Sequence, residues 1–230
     1  MGALDFSVVF QAWPFLLEGL VFSLQLTAVG FAGGLVLGTA LALVRHLQVP
    51  VLGALATGYV TLMRAIPLIM VLFWFFFLVP LLLQWATGAS RPVPVGPVWT
   101  AFITFTLFEA AYYAEIIRAG LKAIPQGQFE AGRALALSGF NTWRLVILPQ
   151  VLRIASPILL TQTIILFQDT SLVYVLSATD LLGAASKIAQ RDARLVEMYL
   201  AVAVIYLGVC CTASQLVASL RRRHAAAGRA

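Results

Sequence analysis

The chain alternates long uncharged stretches with short charged ones. Five stretches approach or exceed the roughly 20 apolar residues that a helix needs to cross a bilayer core of about 30 Å. They are Gly19–Val44, Ala65–Ser90, Val98–Gly120, Ile154–Leu176 and Met198–Leu220. The part of the second stretch beyond Pro80 reads as interfacial. The third stretch embeds Glu109 and Glu115, and the fourth embeds Asp169. Short amphipathic pieces precede the first span, around Phe6–Leu17, and the fifth, around Ala184–Arg194. The pattern predicts an all-α, polytopic membrane protein forming a single domain over residues 1–230. Its five spans lie at about 19–44, 65–84, 98–120, 154–176 and 198–220, with an extramembrane loop at 121–153.

Composition supports lipid as the solvent. Hydrophobic residues make up 61% of the chain and charged residues 10%, too little polar surface to cover a soluble core of this length. The formal charge of +6 falls in loops beside apolar spans, so it reports orientation rather than a nucleic-acid partner. Arg45, Arg118, Lys122, Arg133, Arg144, Arg153 and Arg221–Arg223 fall on one side, leaving Arg91, Lys187, Arg191 and Arg194 on the other. The positive-inside rule therefore places 121–153 and the C-terminus in the cytoplasm and the N-terminus outside. The opening MGALDF lacks a basic n-region and carries Phe6 where a myristoylation signal needs Ser or Thr, so neither signal is expected. Adjacent Cys210 and Cys211 suit neither a disulfide nor a metal site.

The segment Glu130–Pro149, EAGRALALSGFNTWRLVILP, is polar and charged between apolar runs. It reads as a helical start, a turn at Ser138-Gly139-Phe140-Asn141, and a second helical run stopped by Pro149. A helix–turn–helix held outside the bilayer is suited to docking a partner. This segment resembles the cytoplasmic EAA loop of ABC-importer permeases. In that family Glu-Ala-Ala is followed after three residues by Gly and later by Ile-Leu-Pro. Here Glu130, Ala131, Ile147, Leu148 and Pro149 match, while Gly132 replaces the second Ala and Ala136 the usual Gly. Further matches point to the polar amino-acid branch. Arg64-Ala65-Ile66-Pro67-Leu68 resembles the start of a span there, and Glu109–Gly120 is similar to its third span. Leu166–Ser177 resembles the glutamate/aspartate permeases.

The resemblance implies a type I ABC-importer fold in the bacterial inner (cytoplasmic) membrane. It implies two permeases (in this branch usually different sister chains), two ATPase subunits and an external solute-binding protein that delivers the amino acid. No G-x-x-x-x-G-K-[ST] phosphate loop occurs here, so ATP and Mg are expected on the partner ATPase and no cofactor on this chain. By the same resemblance, Glu130 would make a charged contact with the ATPase. Ala131, Gly132 and Ala136 would permit close approach.

Ionisable groups inside a bilayer are costly and are usually paired or functional. Asp169 shares a helical face with Gln162, and Gln168 shares one with Thr161, giving the fourth span a polar stripe that continues to Ser171. With Glu109 and Arg64 these are candidates for the translocation path or for polar contacts between subunits. An interhelical hydrogen-bond network, or Asp169 capping a broken helix, are the structural alternatives. Arg64 reads more simply as an anchor at the inner end of the second span, and Glu115 as the ion-pair partner of Arg118. Gly30, Gly34 and Gly38 mark a helix face for close packing. Trp13, Trp85 and Trp99 suit an aromatic belt. No catalytic residue or metal ligand set is expected. A membrane enzyme using Glu109 and Asp169 lacks any supporting motif, and a channel or scaffold subunit would not need an ATPase partner. Glutamine, arginine or cystine are the alternative substrates.

Overall fold

The computed structural model describes residues 4–227, with side chains as far as Arg222. Residues 1–3 and 228–230, and the side chains of Arg223 and His224, lie outside what it describes. Short α1 (Ser7–Gln11) leads into α2 (Trp13–His46). Then come α3 (Leu52–Ala65) and α4 (Leu68–Phe73), which runs through a π-helical segment (Trp74–Leu78) into α5 (Val79–Thr87). Next are α6 (Pro97–Lys122) and α7 (Gln126–Ala134). Helix α8 (Gly139–Asn141) passes through a second π segment (Thr142–Ile147) into α9 (Leu148–Asp169) and a 3-10 segment (Thr170–Leu176). The chain closes with α10 (Leu181–Arg191) and α11 (Leu195–Ala227).

Among the described residues four helical runs are long and apolar enough to cross a membrane: Trp13–His46, Leu68–Thr87, Gly139–Leu176 and Leu195–Arg222. The expected third span, α6, has 26 residues, about 39 Å at 1.5 Å per residue. It is less apolar because it faces protein rather than lipid. Phe105, Glu109, Ala110, Tyr113 and Ala114 are buried among α2, α3 and α9.

Size, rather than hydrophobicity, marks the packing face of α2. Its buried positions are Leu16, Gly19, Ser23, Leu26, Gly30, Gly34, Gly38 and Ala42, spaced three or four apart on an otherwise apolar helix. A Cβ on Gly34 would meet Glu109 Cβ at 3.0 Å, and one on Gly38 would meet the Ala110 carbonyl oxygen at 2.8 Å. The glycine face anticipated from sequence thus seats α6 of the same chain. In lipid, backbone approach of this kind replaces the hydrophobic drive.

These contacts fix the helix directions. Gly30 meets Phe105, Gly34 meets Glu109 and Gly38 meets Tyr113, so α2 and α6 are parallel. Gly120 packs on Val151 and Ala155 while Glu109 bonds Gln162, so α9 runs antiparallel to α6. Bonds from Arg221 to Thr161 and from Gln168 to Cys210 set α11 antiparallel to α9. Helix α10 covers the N-terminal end of α2, where Gly19 abuts Asp180 and Ala184. The α7 segment lies at the other end of α2, where Phe129 and Arg133 share a cavity lining with His46.

Four boundaries differ from the sequence reading. The first span starts at Trp13 rather than Gly19 and takes up the end of the short piece expected around Phe6–Leu17. The second span does not begin at Ala65, because α3 is already helical from Leu52 and a break at Ile66–Pro67 separates it from α4. Ile66 is extended (φ −113°, ψ 136°), as a residue before proline prefers to be. Taking the charge of Arg64 as the limit of the span hid the apolar helix before it. Pro149 does not stop the second helical run of the loop. Proline lacks an N–H and its ring crowds the carbonyl four residues earlier, but the wider π segment ending at Ile147 absorbs both, so helix continues from Gly139 to Leu176. The first π segment likewise ends just ahead of Pro80. Finally, the amphipathic piece before the fifth span forms earlier than anticipated, as α10, with Asp180 capping it through the N–H groups of Leu182 and Gly183 (both 3.0 Å).

Candidate functional site

Polar groups gather in two places. The first is a cavity of about 520 Å³ beside the α3–α4 break. Arg64, Ile66 and Pro67 line it from the break, Phe108 and Tyr112 from α6, and Gln162, Ile165 and Asp169 from α9. Arg64 sits in the last turn of α3, just ahead of the Leu68–Thr87 run. Its guanidinium lies 5.5 Å from the centre of the Tyr112 ring, in a cation–π contact. Gln162 Nε2 donates to Glu109 Oε1 at 3.2 Å. Glu109 is 1% exposed, and its Oε2 is buried without a hydrogen-bond partner among the described residues. None of the ion pairs among those residues involves Arg64, Glu109 or Asp169.

The polar stripe of the fourth span divides into two faces. Gln162 and Asp169 face the cavity. Thr161 and Gln168 turn to α11, where Thr161 Oγ1 accepts from Arg221 Nη2 at 2.9 Å and Gln168 meets the Cys210 sulfur at 3.6 Å. Adjacent residues on a helix are about 100° apart, enough to send the two pairs to different neighbours. Ser171, half-buried in the 3-10 segment, is not among the cavity-lining residues. Asp169 ends α9 but makes no side-chain capping bond.

The second place is the segment from Gln126 to Pro149. Phe129 and His46 both set their rings edge-on to Trp143, at 5.9 and 5.8 Å between centroids. Gln150 donates to Gln128 at 3.0 Å. Phe129, Trp143 and Val146 pack on Leu121, Ile124, Ile147 and Val151. Helix α7 is therefore fastened to the ends of α2, α6 and α9 together. The same end of the molecule carries Glu115, whose carboxylate accepts from Arg45 Nη1 at 2.8 Å and pairs with Arg118 one helical turn on.

Both departures from the loop pattern have structural counterparts. Ala136 sits at φ 54°, in the left-handed region. Its N–H bonds the Arg133 carbonyl at 2.9 Å, and the Leu137 N–H bonds the Gly132 carbonyl at 3.0 Å. That paired arrangement is a Schellman stop, which usually takes Gly at this position. Gly132 is buried against Thr142. Glu130, Ala131, Leu135 and Phe140 remain exposed, and among the described residues no ion pair engages Glu130. Ile147 is fully buried, whereas Leu148 and Pro149 are exposed.

Sequence reasoning missed Tyr112 as the ring beneath Arg64, and it missed the Phe129–Trp143–His46 clamp. The clamp joins three separate elements, and no local pattern marks it. Tyr112 lies three residues after Glu109 and four after Phe108 on α6, so its place on the helix face toward Arg64 was available from spacing once that face was known.

An all-helical membrane fold that fastens an extramembrane helix to the ends of its spans is the layout of a transporter's membrane subunit. Residues 34–225 match the binding-protein-dependent transport system inner membrane component family, and the chain belongs to it. It is 44% identical over 225 residues to the glutamate/aspartate import permease protein GltK of Escherichia coli O157:H7, covering 98% of this chain and 100% of the relative. It is 33% identical over 219 residues to the glutamine transport system permease protein GlnP of Escherichia coli strain K12, covering 95% and 97%. Among solved structures, an amino acid ABC transporter described as crystallised with histidines superposes with a TM-score of 0.85 at 27% identity, covering 96% of this chain and 100% of that one. The MetNI methionine ABC transporter, in an inward facing conformation, shares the fold with a TM-score of 0.73 at 21% identity, covering 91% and 96%.

Proposed function

We propose that this chain is the permease subunit of an ATP-driven importer and passes glutamate and aspartate through the inner membrane. An external binding protein delivers the amino acid, a sister permease completes the path, and a separate ATPase supplies the force. The observation that carries the coupling half of this reading is the clamp at Phe129, Trp143 and His46. A segment fastened to three helix ends moves them as one body when a partner pushes it. Glu130, Ala131, Leu135 and Phe140 are its exposed contact points, with Gly132, Ala136 and Ile147–Pro149 shaping the turn and the helix behind them. The coupling segment faces the cytoplasm with the C-terminus, and the N-terminus lies outside, because the arginines cluster on that side.

The full-length likeness to a glutamate/aspartate permease supports the substrate. In the cavity, Arg64 offers a cation for a substrate carboxylate. Asp169 and the Gln162 amide, held by Glu109, offer partners for the ammonium group. Binding by opposite charges at two points suits a zwitterion. The test is radiolabelled glutamate uptake by cells or proteoliposomes carrying the assembled transporter. Glu130→Ala is expected to reduce transport and ATPase coupling while leaving membrane insertion intact. Arg64→Gln and Asp169→Asn are expected to reduce uptake without loosening the ATPase. Normal uptake by Glu130→Ala removes the coupling role, and unchanged rate and affinity in both cavity variants remove that cavity from the path.

A further inference from the structure

On the side of α9 away from the cavity, a groove of about 280 Å³ runs between α2, α9 and α11. Leu24 lines it from α2, Leu160, Ile164 and Phe167 from α9, and Ala213 and Val217 from α11. The threonines that border it present methyl groups. Thr27 Oγ1 donates to the Ser23 carbonyl at 2.8 Å and Thr163 Oγ1 to the Leu159 carbonyl at 2.9 Å, so their hydroxyls are satisfied within their own helices. From Val209 to Val217 the groove extends about 12 Å along α11, close to the roughly 15 Å depth of one hydrocarbon leaflet.

Both helix faces that line the groove end in arginine on the side of the coupling segment. On α9 the positions 153, 160, 164 and 167 follow helical spacing, which places exposed Arg153 on the face of Leu160, Ile164 and Phe167. On α11 the positions 210, 213, 217 and 221 do the same for Arg221. Arg221 is held at the groove's end, with Nη2 donating to Thr161 Oγ1 at 2.9 Å and to the Pro157 carbonyl at 3.4 Å. A guanidinium has five N–H donors in a planar fork suited to phosphate, and these two bonds use one nitrogen.

We infer that this groove binds an anionic phospholipid of the leaflet on the coupling-segment side, its acyl chain lying between α9 and α11 and its phosphate between Arg153 and Arg221. The apolar depth, the satisfied hydroxyls and the paired cations one to two turns beyond fit one amphiphile of that shape. A basic residue near an anionic headgroup contributes roughly a fivefold preference.

The test uses the full chain in nanodiscs of phosphatidylcholine doped with photoactivatable-acyl phosphatidylglycerol or, in parallel, photoactivatable-acyl phosphatidylcholine. Labelled peptides are mapped by mass spectrometry. Phosphatidylglycerol is expected to label the Leu160–Phe167 and Ala213–Val217 peptides several-fold more than phosphatidylcholine does. The double substitution Arg153→Gln/Arg221→Gln is expected to erase that preference while leaving phosphatidylcholine labelling unchanged. Filling the groove with Ala213→Trp is expected to remove labelling by both probes. If that variant does not fold, the arginine pair still decides. Equal labelling by both lipids in the unmodified chain overturns the inference. So does the absence of labelling in the groove, the outcome expected if a second protein subunit covers it.

Discussion

Substituting Gly132 by the alanine usual in this loop pattern tests whether α7 is locked to the start of the α8–α9 helix. A Cβ at that position would stand 2.6 Å from Thr142 Cγ2 and 2.7 Å from its Oγ1, well inside van der Waals contact. Thr142 is poorly placed to yield, since it is buried and its hydroxyl donates to the Ser138 carbonyl at 3.1 Å. Forcing a methyl group into a packed site of this kind costs about 1–3 kcal/mol. The loss should fall on the α7–Thr142 junction rather than on the spans. Hydrogen-exchange mass spectrometry of the detergent-solubilised full chain reads this directly, as faster exchange in peptides covering 126–143 and unchanged exchange in α6. Thr142→Ala removes both clashing atoms, so Gly132→Ala in that background should cost far less than it does alone. Such a departure from additivity marks residues in direct contact. Equal costs in the two backgrounds, or no change in exchange from Gly132→Ala alone, would refute the lock.

Ala136→Gly should act in the opposite direction. An L-residue in the left-handed region costs about 1–2 kcal/mol, and the greater freedom of glycine in the unfolded chain returns about 0.4–1 kcal/mol of that. A net gain of about 0.5–1 kcal/mol is expected, read as slower exchange at Leu137; faster exchange would contradict the assigned stop. Gly38→Ile should prise α2 from α6, because its Cβ would sit 2.8 Å from the Ala110 carbonyl oxygen and 2.9 Å from Tyr113 Cβ, and neither atom belongs to a flexible chain end. The thermal unfolding midpoint in detergent should fall by several degrees, whereas Gly58→Ile on α3, where no atom lies within 4 Å, should leave it almost unchanged.

Much of the architecture was legible because the bilayer makes hydrophobic length the dominant signal. A helix lies near each of the five apolar stretches, four of them long and apolar enough to cross a membrane among the described residues, and the glycines on α2 announced a close contact through their spacing. What spacing could not supply was the identity of the neighbour. Gly34 and Gly38 gave no hint that α6, rather than the adjacent α3, would fill the space. Where charge was taken as a boundary, the reading erred. Arg64 concealed α3 because a cation next to a break looks like the end of a span until Tyr112 is seen beneath it. Pro149 misled for a local reason, since a π segment can carry a helix past proline and leaves no clear trace in composition. At the candidate sites, helical arithmetic correctly paired Gln162 with Asp169 and Thr161 with Gln168. It could not reveal that the two pairs turn toward different helices. The aromatic clamp at Trp143 drew on residues almost a hundred positions apart, a relation that only the folded chain displays.

The parallel course of α2 and α6 also bears on how the chain is made. Two parallel helices cannot form a hairpin, so α2 must wait in the lipid until the connecting helices and α6 have emerged. From Leu47 to Lys122 that is 76 residues, roughly 4–15 s of synthesis at ordinary elongation rates. Throughout that interval the groove-like strip of Gly30, Gly34 and Gly38 is bare, and it is a surface to which any passing helix of similar shape can adhere. Nascent chains therefore face a race between internal closure and capture by a stranger, and slowing translation between Leu47 and Pro97 should tilt that race toward misassembly.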